Sequence, residues 1–239
     1  LVELYQSLPS RATTAPVVAA LFKNLADNPN FLEWLVRLAE TLSDQSLRAF
    51  FQNVVVNELI EGQKIRQAFG EREGFEPPVT LVLNPTMACN LRCTGCYAHE
   101  LPGQGMAYPL VQKILREARA MGTRLITVSG GEPFLYPHYF RMVEEFADLQ
   151  FLTYTNATLI DDELAERIAA AGNIMPAISV EGFGKETDAR RGPGVHDQVL
   201  RAMRLLRARG VLFGFSATPT RLNGDVIASI DTVRRPSGV

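Results

Sequence analysis

Cys89, Cys93 and Cys96 are the three cysteines of this 239-residue chain, and all lie in the run Cys89-Asn90-Leu91-Arg92-Cys93-Thr94-Gly95-Cys96. Thiols gathered this closely in a chain with no other cysteine point to a bound metal rather than to a disulfide framework. Three thiolates leave a tetrahedral zinc site, or an iron-sulfur cube, one protein ligand short. On a [4Fe-4S] cube that shortfall leaves one iron open to a substrate or cofactor. A structural zinc in a non-catalytic α/β binding protein is the alternative, because Cys89, Cys93, Cys96 and His99 also read as C-x3-C-x2-C-x2-H.

Such a loop needs a frame, and the sequence after about residue 78 supplies one. Strand-like runs at 79–83, 125–128, 151–154, 175–180 and 211–217 alternate with helix-like runs at 109–121, 138–147, 161–171 and 195–209. That alternation predicts right-handed βαβ units around a parallel sheet. Gly122, Gly172 and Gly210 each follow a helical run, where a left-handed C-cap is expected. In parallel α/β folds the reactive loops lie beyond the C-terminal ends of the strands. The cysteine loop follows the first strand directly.

Residues 1 to about 70 contain no candidate strand and read as helices. Pro16 opens one at 17–26, the run Asp27-Asn28-Pro29-Asn30 interrupts it, and 31–42 forms a second. In the third, Leu47, Phe50, Phe51, Val54, Val55 and Leu59 form an apolar stripe at helical spacing, with Arg48, Asn53, Asn57 and Lys64 on other faces. The Gly- and Pro-punctuated run Glu71-Arg72-Glu73-Gly74-Phe75-Glu76-Pro77-Pro78 reads as a linker, dividing the chain into a helical region at 1–76 and an α/β region at 77–239. With 46% hydrophobic and 21% charged residues and a net charge of -2, the composition is that of an ordinary globular protein, with no electrostatic footprint for nucleic acid. No apolar run approaches the roughly 20 residues of a membrane span.

The run from Asn84-Pro85-Thr86 through Cys96-Tyr97-Ala98 resembles the cluster loop of radical S-adenosylmethionine (radical SAM) enzymes, whose signature is C-x3-C-x2-C. A second signature, Ser129-Gly130-Gly131-Glu132-Pro133, follows the apolar run 125–128 where that family carries it. The Pro-Thr-x-x-Cys-Asn-Leu-x-Cys-x-Gly-Cys-Tyr-Ala form is similar to the branch holding peptide-modifying maturases and lipid adenosyltransferases. The resemblance implies a partial (β/α)6 TIM-like barrel over roughly 79–223, with five strands present. The tail from Asp225 to Val239 begins another helix and runs out, so the barrel reads as C-terminally truncated.

What the resemblance implies for function is a [4Fe-4S] cluster on Cys89, Cys93 and Cys96 that cleaves S-adenosyl-L-methionine reductively to a 5′-deoxyadenosyl radical. It further implies a low-potential electron donor of the flavodoxin or ferredoxin type, an unidentified substrate, and a reducing cytoplasm for the oxygen-sensitive cluster. Gly130 and Gly131 would let backbone approach the ligand, and the segment through Glu132 and Pro133 would hold the methionine amino group. Thr155 and Asn156 begin a Thr-Asn-Gly-like turn in which Ala157 replaces the glycine. At the end of the fourth strand, Ser179 would meet the cofactor's carboxylate or ribose, and Glu181 would accept from the ribose hydroxyls. Arg191 would face the carboxylate with its planar fork, while Arg190 reads as a solvated side chain. Gly95 stands where relatives often carry an aromatic residue before the third cysteine, so Tyr97 is the candidate for the adenine. Hydroxyls of Ser216 and Thr218, with Asn223 nearby, could serve ribose or substrate.

Overall fold

The computed structural model describes residues 29–100 and 105–229. The helix predicted at 17–26 and the tail from residue 230 lie outside the described residues, as does the side chain of His99. Helix α1 (Pro29–Thr41) opens at a proline, whose missing N–H costs nothing in a first turn. Ser43 caps α2 (Asp44–Phe50), its hydroxyl accepting the Ser46 N–H at 3.2 Å. The chain then continues without a break through a π-wound segment (Phe51–Gly62) into α3 (Gln63–Glu73). Gly74 closes α3 at φ 80°, so the helix runs into what the sequence presents as linker.

The apolar stripe predicted on this long helix packs only in part: Leu47, Phe50, Phe51, Val54 and Val55 are half-buried. Asn53, Val56, Glu58 and Ile60 are buried, while Leu59 is 50% exposed. A π-helix takes about one more residue per turn than an α-helix, which rotates positions three and four apart off a common face. The buried polar groups also have partners beneath the sheet. Asn53 donates to the carbonyls of Ala147 and Leu149, Asn57 to that of Asp148, and Arg66 to that of Gly122. Glu58 accepts the Arg124 N–H at 3.0 Å and pairs with Arg66 at 2.7 Å. These contacts satisfy main-chain groups at helix ends and strand starts, which burial would otherwise leave costly. A Cβ on Gly62 would stand 2.6 Å from the Gly122 carbonyl, so glycine is what lets the two backbones meet.

Five strands form one wholly parallel sheet in the order β1 (Thr80–Thr86), β2 (Leu125–Gly130), β3 (Gln150–Thr155), β4 (Ile174–Ser179), β5 (Gly214–Ser216). Helices α4 (Tyr108–Ala120), α5 (Tyr139–Glu145), α6 (Asp162–Ala171) and α8 (Val195–Ala208) make the crossovers. Between them and the sheet lies the core of Leu115, Ile126, Phe151, Ile168, Ile178 and Leu206, all fully buried. The opposite face carries Val82, Thr127, Leu152 and Met175 in register, with Val82 and Tyr154 exposed, as on the inside of an incomplete barrel. The fold is the partial TIM-like barrel expected.

The left-handed caps are also present, at φ 90° for Gly122, 72° for Gly172 and 61° for Gly210. Two elements differ from the sequence reading. β5 shrinks from the predicted 211–217 to three residues, the stretch that pairs with β4, its one neighbour in the sheet. Helix α7 (Gly184–Arg191) was not foreseen, because its eight residues carry no apolar periodicity and end in two arginines. A short helix α9 (Gly224–Ile227) follows β5. Among the described residues no helix is long and apolar enough to cross a membrane.

Candidate active site

Parallel strands bring every motif singled out in the sequence to one end of the sheet. The cysteine loop leaves β1 at Thr86, whose hydroxyl accepts the Ala88 N–H at 3.1 Å. It then runs along the loop after β2: Gly131 N–H donates to Thr86 O at 3.0 Å and Glu132 N–H to Ala88 O at 2.8 Å. A Cβ on Gly131 would stand 2.2 Å from the Ala88 carbonyl oxygen, and one on Gly130, at φ 114°, 2.4 Å from that of Thr86. Both glycines are therefore required by the passage of the cysteine loop's own backbone. The expected close approach is real, but on the Cβ side its partner is residues 86–88 rather than a ligand.

Glu132 is fully buried. Its Oε1 accepts from the Thr155 hydroxyl at 2.8 Å and the Phe134 N–H at 3.3 Å, and its Oε2 from the Asn156 N–H at 2.8 Å. Pro133, buried beneath it, begins the short turn Pro133–Leu135 that the carboxylate caps. Burial pushes the Glu132 carboxyl up to about 7, against the pull of these hydrogen bonds and of Arg191. The side chain read as an acceptor for the ligand thus ties the end of β2 to the end of β3. Asn156, fixed by that tie, donates to Asn90 Oδ1 at 2.9 Å and to Cys89 Sγ at 3.8 Å. Asn90 in turn donates to the Thr158 hydroxyl at 2.8 Å. Ala157 holds φ 61°, the left-handed conformation that the glycine of a Thr-Asn-Gly turn adopts without strain.

A second buried carboxylate organises the other flank. Glu181 Oε1 accepts from Arg190 Nη1 at 2.5 Å and from Arg191 Nε and Nη2 at 3.0 and 2.6 Å. Its Oε2 accepts the Thr218 N–H at 3.1 Å, and Asn223 donates to its main-chain carbonyl at 3.0 Å. Two expectations need correcting. Glu181 is fully buried among protein donors and presents no free acceptor to a ribose, and Arg190 is not solvated but paired. Arg191's fork closes on Glu181, although its charge still reaches Cys93 and Glu132. Arg190 also clasps the cysteine loop: its carbonyl accepts the Thr94 N–H at 2.8 Å, and its Nε donates to Thr94 O at 3.4 Å. A cavity of about 510 Å³ opens beside this clasp, walled by Thr94, Glu181, Glu186, Arg190, Thr220 and Asn223.

Cys89, Cys93 and Cys96 are free and half-buried. Burial raises the Cys89 and Cys93 thiols, and each is raised further by its cysteine neighbours. The Leu91 N–H and Asn156 pull Cys89 back down, as Arg191 does Cys93. The thiols thus sit close enough to feel one another. Among the described residues, however, no three Cys, His, Asp or Glu side chains converge as ligands of a single metal ion must. Three thiols on one eight-residue loop are a donor set that fits a cluster with one iron left open by the protein. The Ser179 hydroxyl, half-buried at the end of β4, and the Tyr97 ring, 55% exposed, make no hydrogen bond among the described residues and remain available to a ligand.

Sequence reasoning did not find the roles of Thr94, Thr155, Thr158 or Arg190. Their signal is tertiary: a carboxylate at a strand end meets arginines nine and ten residues later across a helix whose existence its composition conceals.

The family profile described as the Radical SAM superfamily matches residues 83–229. An uncharacterized protein of Archaeoglobus fulgidus is 35% identical over 139 residues, covering 56% of this chain and 33% of its own. The AdoMet-dependent heme synthase of Methanosarcina barkeri is 29% identical over 145 residues, covering 58% of this chain and 42% of its own. The mycofactocin maturase MftC of Mycobacterium tuberculosis is 31% identical over 145 residues, covering 57% and 36%. The chain therefore spans between a third and a half of the length of these relatives. Among solved structures, SuiB of Streptococcus suis bound to S-adenosylmethionine superposes with a TM-score of 0.60 at 23% identity, over 73% of this chain and 41% of that one, a likeness of fold.

Proposed function

The chain belongs to the Radical SAM superfamily, and from that premise we propose that Cys89, Cys93 and Cys96 hold a [4Fe-4S] cluster whose fourth iron takes S-adenosyl-L-methionine. When bound, the cluster supplies the electron that cleaves the cofactor's sulfonium to methionine and a 5′-deoxyadenosyl radical. The observation that carries this reading is the set of three half-buried thiols on one loop, pressed by its backbone against Gly130 and Gly131. The chain's own residues bind, orient and shield. Asn156 and the Leu91 N–H steady the Cys89 sulfur, and Arg191 places positive charge beside Cys93. Glu132 and Pro133 hold the glycine loop so that its main chain faces the cofactor's methionine end. Ser179 offers a hydroxyl to the carboxylate or ribose, and Tyr97 a ring to the adenine.

The electron comes from a flavodoxin- or ferredoxin-type donor in the cytoplasm, and the radical acts on a peptide, protein, small-molecule or lipid substrate. Residues 77–239 form the catalytic barrel and residues 1–76 its helical region and linker. The heme synthase and maturase among the relatives are consistent with either a small-molecule or a peptide substrate. The test is anaerobic: reconstituted protein given dithionite and S-adenosylmethionine is analysed by chromatography. Formation of 5′-deoxyadenosine or an adenosylated product is expected. A cluster-loaded protein that binds the cofactor and yields neither would overturn the reading.

A further inference from the structure

The Glu181 network reaches the cysteine loop without passing through the glycine loop. Glu181 is fully buried at the exit of β4, and every donor to its carboxylate comes from protein: Arg190, Arg191 and Thr218. Its main chain is fixed as well, its N–H donating to the Thr187 hydroxyl at 3.1 Å and its carbonyl accepting from Asn223. Thr187, Arg190 and Arg191 all belong to α7, so the Glu181 main chain holds the middle of that helix and its carboxylate the last turn. The last turn of α7 then holds the main chain of Thr94, the residue after Cys93, by two contacts, one from the Arg190 carbonyl and one from its guanidinium. Arg190 and Arg191 are mostly buried, with 22% and 11% of their side chains exposed, and a buried pair that loses one partner leaves an uncompensated charge.

We propose that Glu181 is a positioning residue: it anchors α7 so that Arg190 clasps Thr94 and fixes the Cys93–Cys96 half of the loop, and it does not itself meet the cofactor. Cys89 is held by a different device, Asn156 and the Leu91 N–H. The two halves of the loop therefore have separate supports, and disturbing Glu181 should loosen one and spare the other. The inference rests on reading the loop as the metal-binding one, yet its test uses the full chain without metal. A failure of the clasp is then distinct from a failure of the cluster reading.

In metal-free Glu181→Gln, amide hydrogen exchange at Thr94 should quicken about tenfold or more as the clasp opens locally, and alkylation of Cys93 by iodoacetamide should quicken with it. Cys89 alkylation should stay within about twofold of the parent, because its own support is untouched. Arg190→Ala, which leaves the Arg191 pair to hold Glu181, should show the same direction with smaller size and serves if Glu181→Gln does not fold. In reconstituted protein the two variants should share a broadened cluster EPR signal. Thr94 exchange and Cys93 alkylation unchanged in both variants, with S-adenosylmethionine affinity lost in Glu181→Gln alone, would make Glu181 a direct cofactor ligand and overturn the proposal.

Discussion

The base of the sheet and its mouth are built with the same devices and differ in what those devices leave over. At the base, Gly62 lets its backbone meet Gly122, the buried Glu58 pairs with Arg66, and Asn53 bridges carbonyls. At the mouth, Gly131 lets the cysteine loop pass, the buried Glu181 pairs with two arginines, and Asn156 bridges Asn90 and Cys89. The base spends its polar side chains on main-chain groups of the frame. The mouth uses its polar side chains to hold loops, and still keeps three thiols, the Ser179 hydroxyl and the Tyr97 ring open. Buried glutamates, arginine pairs and tight glycines are thus signs of construction, and the chemistry lies in the groups they leave unspent.

Matched substitutions break the comparison most sharply. Gly131→Ala puts a Cβ into the Ala88 carbonyl, so the cysteine loop must move. Iron retained after desalting should reveal a metal affinity about 10–100-fold lower. Gly122→Ala puts a Cβ into the Gly62 carbonyl at φ 90°. Denaturant titration should show about 4 kcal/mol lost, with iron per folded chain unchanged. If both variants lose stability alone, or both lose iron alone, the division into base and mouth fails.

Glu132 supplies a milder test, through pH. Its folded-state carboxyl titrates near 7 against an ordinary 4.5, so the fold favours the protonated form. Stability from this group is full below its ordinary range and is lost as pH rises towards 7, by about 3 kcal/mol. Melting of metal-free protein should therefore decline across that window, and Glu132→Gln should flatten the decline; a slope identical in the two proteins would assign it elsewhere. The smallest effect is expected at Ala157. Glycine there relieves about 1–2 kcal/mol of left-handed strain and adds about 0.5–1 kcal/mol of chain entropy. Unfolding free energy should rise by about 0.5 kcal/mol, and a clear loss would mean that the buried methyl matters more than the backbone.

The sheet was legible because its strands are apolar runs between helices of ordinary spacing, punctuated by Gly122, Gly172 and Gly210. The cysteine and glycine motifs were legible because they are local. The packed face of the long N-terminal helix was not, since π winding replaces the spacing from which a stripe is read. Nor was the division of labour at the mouth. Glu132 and Glu181 look alike to a sequence reading, as acceptors at strand ends, and what makes both internal struts is the set of donors folded around them from β3, α7 and the loop after β5. Arg190 and Arg191 are adjacent letters, and the clasp on Thr94 that tells them apart spans 96 residues.

The central claim is that the mouth holds a cluster with one iron left open by the protein. Mössbauer spectroscopy of anaerobically reconstituted, iron-57-labelled protein, with and without S-adenosylmethionine, tests it most directly. The account predicts about four irons per chain, one of which changes its signal when the cofactor is added while the other three keep theirs. One zinc per chain, or four irons that all ignore the cofactor, would contradict it.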